Sequence, residues 1–383
     1  MKNLLILIPF VALLLGGGCT EKPHEMITVD PSANYPKKEY VVQDILQVEY
    51  VPLQTDDQFV TQGRVFAIGK EYIVTGNWTN DGNIYLFDRR NGAAVRVLNR
   101  KGQGAEEYSY VSGVLLDEHA GELFVNDATT KRIRVYDLEG NFKRKLDQVS
   151  GTQCMEVYSF DEKNLICYDM SVYYEEGKPH SKPAYYYIVS KQDGSVTREI
   201  PIPFEIVRSP VVQEGDFVTM AQVRALTPSG NDWILSETSS DTLYQYVSDQ
   251  ALLRPFLVNA CSGDIFHFLT VGVVTDQYCF MQATEKRFDF TKGKGFFTKH
   301  LVYEFADQQV YEANVYNGDF KEKRGVDLTA NPLNQPSCMA YETITADKLV
   351  EAYQEHKLQG QLEEIASKLD EEDNPVIMLV KRK

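Results

Sequence analysis

Asn83-Ile84-Tyr85-Leu86-Phe87-Asp88 and Arg132-Ile133-Arg134-Val135-Tyr136-Asp137 are two copies of one strand, 49 residues apart. An apolar run precedes each, Tyr72-Ile73-Val74 in the first copy and Leu123-Phe124-Val125 in the second. A turn follows each, Asn91-Gly92 or Gly140-Asn141, and then a further run, Val95 to Leu98 or Phe142 to Leu146. Glycine and asparagine tolerate positive φ, so these dipeptides between apolar runs predict hairpins. Four short strands repeating every ~50 residues are the signature of a propeller blade. The alternation in Ile133-Arg134-Val135-Tyr136 predicts a strand with one face in the core and the other in solvent.

The same pattern continues in a more worn form. Tyr185 to Val189, Asp193-Gly194 and Val196 to Ile200 match the second half of a blade. Trp233 to Ser236 with Thr242 to Tyr246 makes another. Val271 to Val274, Tyr278 to Met281 and His300 to Phe305 make a fifth. Six blades need about 300 residues, which the span from about residue 45 to residue 383 holds with insertions. The expected fold is therefore all-β, a six-bladed β-propeller with a short C-terminal helical insertion before the closing strand. Ala346 to His356 predicts that insertion, with Leu349, Val350 and Tyr353 at helical spacing and Thr345 as N-cap, and Leu362 to Leu369 continues it. The acidic run Asp370 to Asp373 reads as a solvated loop, and Pro375 to Val380 as a final strand. Near the other end, Ile45 to Val51 is also strand-like, so the ring is expected to close by pairing its two ends, which removes exposed edges.

The N-terminus reads as an export signal. Lys2 is followed by the apolar stretch Leu4 to Leu15 and then by Gly16-Gly17-Gly18-Cys19. Twelve apolar residues fall short of the roughly 20 that span a bilayer as a helix. Small residues before a cysteine resemble a bacterial lipobox, although Gly16 stands where leucine is usual. The expected organisation is a lipoprotein signal peptide over 1–18, a tether over 19–40 containing Pro23, Pro31 and Pro36, and a propeller domain over 41–383. Cys19 is the expected lipidation site, which makes the membrane a partner and places the protein in the periplasm or on the outer-membrane surface. Glu21 and Glu25 flank Lys22, a pattern that leaves the leaflet open.

The net charge of −16 argues against nucleic acid, because a binder needs basic surface to displace counterions from phosphates. Beyond Cys19 lie Cys154, Cys167, Cys261, Cys279 and Cys338, with no CxxC spacing for zinc or redox chemistry. Cys167 and Cys279 sit in apolar runs, where cysteine acts as a small buried hydrophobe. A Cys154–Cys167 bridge stays open in an oxidising envelope.

The stretch Arg100-Lys101-Gly102-Gln103-Gly104-Ala105-Glu106-Glu107-Tyr108 resembles a run typical of the NHL-repeat-like, six-bladed β-propeller lipoproteins of anaerobic Gram-negative bacteria. Ala105 and Glu106 replace the usual Pro and Gly there. Asp373 to Lys381 is similar to that family's closing strand. The resemblance implies the fold and an envelope location; it brings no catalytic or ligand residues.

Chemistry is sparse in the sequence. His24, His119, His180, His267, His300 and His356 have no metal-pair spacing. Gly102-x-Gly104 lacks the Lys-Ser/Thr of a phosphate loop and reads as a blade-to-blade turn. Asn80-Asp81-Gly82-Asn83 lacks the remaining ligands of a calcium loop and reads as a hairpin turn. No metal ligand, cofactor or catalytic residue is expected, and the ligand-binding residues are not legible. The tyrosine groups Tyr173-Tyr174, Tyr185-Tyr186-Tyr187 and Tyr108 with Tyr110 are expected to be partly exposed, because consecutive strand residues point to opposite faces. Exposed aromatics at a loop rim suit stacking on sugars or contact with a partner. The functional expectation is a non-enzymatic binding or scaffolding module for a glycan, a peptide or another envelope protein. The alternative is a hydrolase or lyase whose groups converge, one per blade, on the central channel.

Overall fold

Antiparallel four-stranded sheets recur six times along the chain and stand as six blades in a ring. The computed structural model describes residues 26–290, 295–335 and 338–383. The predicted signal peptide, Cys19, His24 and the start of the tether lie outside the described residues. Blade I is Arg64–Ile68, Tyr72–Gly76, Asn83–Asp88 and Ala94–Asn99, and blade II is Gly113–Asp117, Glu122–Asp127, Arg132–Asp137 and Phe142–Asp147. Blade III is Cys154–Ser159, Asn164–Asp169, Tyr186–Ser190 and Val196–Ile200, and blade IV is Leu226–Ser229, Asp232–Leu235, Thr242–Val247 and Leu252–Asn259. Blade V is His267–Val274, Tyr278–Asp289, Gly295–Glu304 and Gln309–Asn317. Blade VI is Pro332–Gln335, Cys338–Ile344, Val376–Lys381 and Gln47–Pro52. The ring thus closes as expected, with the early strand pairing Pro52 to Val376 and Gln47 to Lys381.

The early strand, Gln47–Pro52, begins slightly later than the sequence suggests, because Val42–Ile45 forms one helical turn, α1. Upstream of α1, the stretch read as tether is seated on the ring. Ile27–Val29 runs parallel to Leu257–Asn259 on the outer edge of blade IV, and Lys37–Val41 runs parallel to Glu312–Tyr316 on that of blade V. The chain before the first closed blade therefore covers the edges of three successive blades. This cover suppresses the edge pairing that open strands invite.

Six apolar clusters hold the ring, one at each junction between blades. Ile73, Phe87, Val51 and Leu379 lock blade VI to blade I. Val74, Leu86, Val125 and Tyr136 lock blade I to blade II. The remaining four follow the same scheme. A middle strand of a blade is consequently buried on both faces, which corrects two expectations. Arg134 does not face solvent; it is buried, with Nη1 3.4 Å from Asp127 Oδ2 and donating to Thr130 Oγ1 at 3.2 Å. Tyr185, Tyr186 and Tyr187 are all buried as well, because Tyr186 packs against blade IV and Tyr187 against blade II. Exposure among the tyrosine groups falls on loop positions, Tyr174 and Tyr110.

The turn glycines have a second duty. Gly92, Gly140 and Gly194 sit at positive φ in the last hairpin of blades I, II and III. A Cβ on each would overlap the outer strand of the preceding blade, at Pro52, Leu98 and Asp147 respectively. Glycine is needed there both for backbone conformation and for close approach.

The helical insertion is α2 (Ala346–Gln354) and α3 (Gly360–Ala366), just before the last strand. Leu349, Leu362 and Ala366 are buried against blades V and VI, and Val350 is buried as well. Thr345 occupies the N-cap position without making a capping hydrogen bond, and Tyr353 points outward instead of joining the apolar stripe.

Candidate functional site

Antiparallel pairing decides which end of each blade carries the long connections. The turn between the second and third strands lies at the end where the first strand begins, and the linker from the preceding blade must also arrive there. The other turns stay short, as in 230–231 and 89–93. The end where first strands begin carries segments as long as 170–185, 201–225 and 345–375. This loop face also holds exposed Trp78, Tyr110, Met155, Tyr174, Ile206, Phe217 and Val218.

On the ring axis is a cavity of about 290 Å³. The first strands of blades I, II and III line it, together with Arg224, Asn331 and Tyr341. Its charged side chains are Arg64, Glu156 and Arg224. Arg64 opens the first strand of blade I. Its guanidinium lies 4.9 Å from the Phe66 ring and 5.2 Å from the ring of Trp78, and Nη2 donates to the Ser112 carbonyl at 3.1 Å. Trp78 is 69% exposed, so the aromatic half of this pair faces the solvent rim.

Across the axis, Glu156 and Tyr158 reach from blade III to the head of blade IV. Glu156 accepts the backbone N–H groups of Ala225 and Leu226, both at 3.3 Å. Burial pushes its carboxyl above the ordinary range, and the opposing pull of the Arg224 charge does not restore it. Tyr158 receives Arg224 Nη1 at 3.2 Å, and Nη2 of Arg224 donates to the Ala330 carbonyl. Nε of Arg224 is buried without a partner. No carboxylate stands within ion-pair distance of this guanidinium among the described residues. Burial pushes the Tyr341 hydroxyl up to about 12, against the pull of both Arg224 and Arg64, while the group donates to the Val65 carbonyl at 3.1 Å.

Behind Arg224, a second carboxyl is enclosed. Glu237 accepts the Tyr168 hydroxyl at 3.1 Å and the Ser239 N–H at 3.2 Å, and burial raises it too. Of the two raised carboxyls only Glu156 lines the axial cavity, and a perturbed group beside a cavity is a candidate for ligand chemistry.

The residues singled out in the sequence are not gathered here. Gly102 to Tyr108 forms a closed turn between blades I and II, with the buried Tyr108 hydroxyl donating to the Gly82 carbonyl at 2.7 Å. Asn80 to Asn83 is a hairpin turn in which Asp81 Oδ1 accepts the Asn83 N–H. His119, His180, His267, His300 and His356 are scattered over separate loops and strands, and no metal-holding group of three His, Cys, Asp or Glu occurs among the described residues. Cys154 and Cys167 are buried and unbridged, and the Cys154 thiol donates to Thr152 Oγ1 at 3.4 Å. The site residues Arg64, Glu156, Tyr158, Arg224 and Tyr341 went unread because nothing in their spacing joins them. The available signal was a charge at the head of an apolar strand, as in Arg64-Val65-Phe66 and Arg224-Ala225-Leu226.

A family model, a domain of unknown function named DUF4934, matches residues 26–381. The chain belongs to the DUF4934 family. The match begins at the first described strand on blade IV and ends in the closing strand of blade VI, so the DUF4934 unit includes the edge-covering N-terminal segment. A crystal structure of a Bacteroides fragilis protein, provisionally classed as exported, shares the fold at a TM-score of 0.60. It is 14% identical, and the match covers 94% of this chain and all of the other. A DUF4221 family member from Bacteroides vulgatus is 13% identical at a TM-score of 0.46, over 88% of this chain and 97% of its own. No protein of curated function matched the DUF4934 chain.

Proposed function

We propose that this protein is a non-enzymatic binding module of the cell envelope, anchored by lipid on Cys19, that takes its ligand at the axial mouth of the loop face. The observation that carries the reading is the cavity bounded by Arg64, Glu156, Tyr158, Arg224 and Tyr341 beneath a face of long loops. Strands hold Arg64, Glu156, Tyr158 and Tyr341, and the linker entering blade IV carries Arg224, while the surrounding loops remain free to vary, an arrangement suited to recognition. The lipobox-like Gly16-Gly17-Gly18-Cys19, the resemblance to NHL-repeat-like lipoproteins and the exported class of the Bacteroides fragilis protein support the location. Only seven residues, 20–26, separate Cys19 from Ile27, the first residue paired to blade IV. Fully extended they reach about 25 Å, so the outer edge of blade IV would ride close to the bilayer.

Two experiments test the reading. Cys19→Ala should move the protein from the membrane to the soluble fraction, and unchanged partitioning would refute the anchor. The mature Cys19→Ala chain, applied to a glycan array and to envelope extract, should retain a ligand unaltered. Turnover of an arrayed glycan would favour the hydrolase or lyase alternative, with the raised carboxyl of Glu156 as the acid to mutate first.

A further inference from the structure

The sign of charge at the axial mouth opposes that of the whole protein. The chain carries −16, yet the charged groups lining the cavity are two arginines and one carboxyl. That carboxyl spends its acceptor oxygens on the backbone of Ala225 and Leu226, not on either guanidinium. Arg224 is held by neutral oxygens from Tyr158 and Ala330, and its Nε is buried without a partner. Arg64 has one neutral carbonyl partner and is otherwise braced by aromatic rings. Arg89 and Arg134 also have unpartnered Nε atoms, but each lies beside a carboxylate, Glu49 or Asp127. Glu156 pulls on Arg224 only through space, without a contact, so the guanidinium lacks a direct anionic partner, and a ligand carboxylate would supply one.

Resting on the axial-mouth reading, we infer that the ligand is an acidic saccharide, with a sugar carboxylate seated between Arg224 and Arg64. Guanidinium groups favour carboxylates through paired, charge-assisted hydrogen bonds. The rest of the lining suits a sugar better than an apolar ligand. Tyr158, Ser112, Ser159 and Asn331 offer hydroxyl and amide groups, and the exposed Trp78 ring beside Arg64 gives a flat apolar surface at the rim. A cavity of about 290 Å³ accepts one or two sugar units and leaves the rest of a chain outside.

Titration calorimetry of the mature Cys19→Ala protein with digalacturonate, with the neutral disaccharide lactose and with a short acidic peptide tests the inference. Digalacturonate should bind, and the neutral disaccharide should bind at least about 10-fold more weakly, the difference expected for one charged hydrogen-bonded pair. Arg224→Gln and, separately, Arg64→Gln should each weaken digalacturonate by about 10- to 100-fold with an unchanged melting temperature. Arg64→Gln serves as the independent variant should Arg224→Gln unfold, because Arg64 is only partly buried. Equal binding of the neutral sugar, reduced by both variants, would overturn the acidic-ligand inference and leave the axial-mouth reading standing. Binding of the peptide in preference to digalacturonate would do the same. No binding of digalacturonate at millimolar concentration would also overturn the inference. Binding of any probe unaffected by both variants would overturn inference and site together.

Discussion

The two ends of the blades are made by the same strands, yet they use their connections differently. Away from the loop face, turns such as 89–93 and 138–141 are short, and their glycines press on the preceding blade. On the loop face, connections expand into a hairpin (Val211–Glu214 with Phe217–Met220), a 3-10 turn that buries Val172 and Tyr173, and two helices. One end is constrained by blade packing; the other has room for a site. Packing constrains one end and leaves the other free to vary, and substitutions should divide accordingly.

The largest effect is expected between blades. Phe87→Ala in the junction of blades VI and I should cost about 3–5 kcal/mol, read from the urea unfolding midpoint, because a buried ring leaves a cavity. A loss under 1 kcal/mol would mean that the junction collapses freely and the blades are not close-packed.

Next come the turn glycines. Gly92→Ala should cost about 1–3 kcal/mol, since it combines positive φ with overlap on the Pro52 carbonyl. Gly121→Ala sharpens the test, because Gly121 also has positive φ but open space around its Cα, so only the backbone penalty of about 1 kcal/mol should appear. Equal losses at both positions would remove the riveting role assigned to Gly92.

A smaller, pH-dependent effect is expected at Glu237. Burial holds its folded value above the ordinary 4.5. The folded protein therefore binds the proton more tightly than the unfolded chain, and stability from this group is full below 4.5 and lost as pH rises through the folded value. Glu237→Gln cannot titrate. The melting temperature of the variant relative to wild type should rise between pH 4.5 and pH 8, and a difference independent of pH would contradict the assignment.

The smallest stability effect belongs to the loop face. Trp78→Ala should change unfolding free energy by no more than about 0.5 kcal/mol, since the ring is largely in water. A substantial loss by the same denaturation assay would show that the loop face supports the ring and would break the division between the two ends.

Much of the architecture was legible because it depends on local pattern. The 49-residue offset of Asp88 and Asp137, the Asn91-Gly92 and Gly140-Asn141 turns and the helical spacing of Leu349 and Val350 are short-range features of the chain. They determined the all-β class, the blade repeat, the C-terminal helices and the pairing of the two ends. Packing against neighbours is not a local property. Arg134 and Tyr185 to Tyr187 read as half-exposed because alternation shows that a strand has two faces without showing what covers each, and in a ring both faces of a middle strand meet another blade. The N-terminal strands hid for a similar reason: Ile27–Val29 and Lys37–Val41 are stabilised by parallel partners more than 200 residues away. The axial mouth was the least legible of all. Arg64, Glu156, Arg224 and Tyr341 come from four different blades or linkers, and ring closure alone brings them to one cavity. Local pattern in the chain specifies the blades and their order, whereas the curvature of the whole ring, which belongs to no single segment, selects the charges that share the axis.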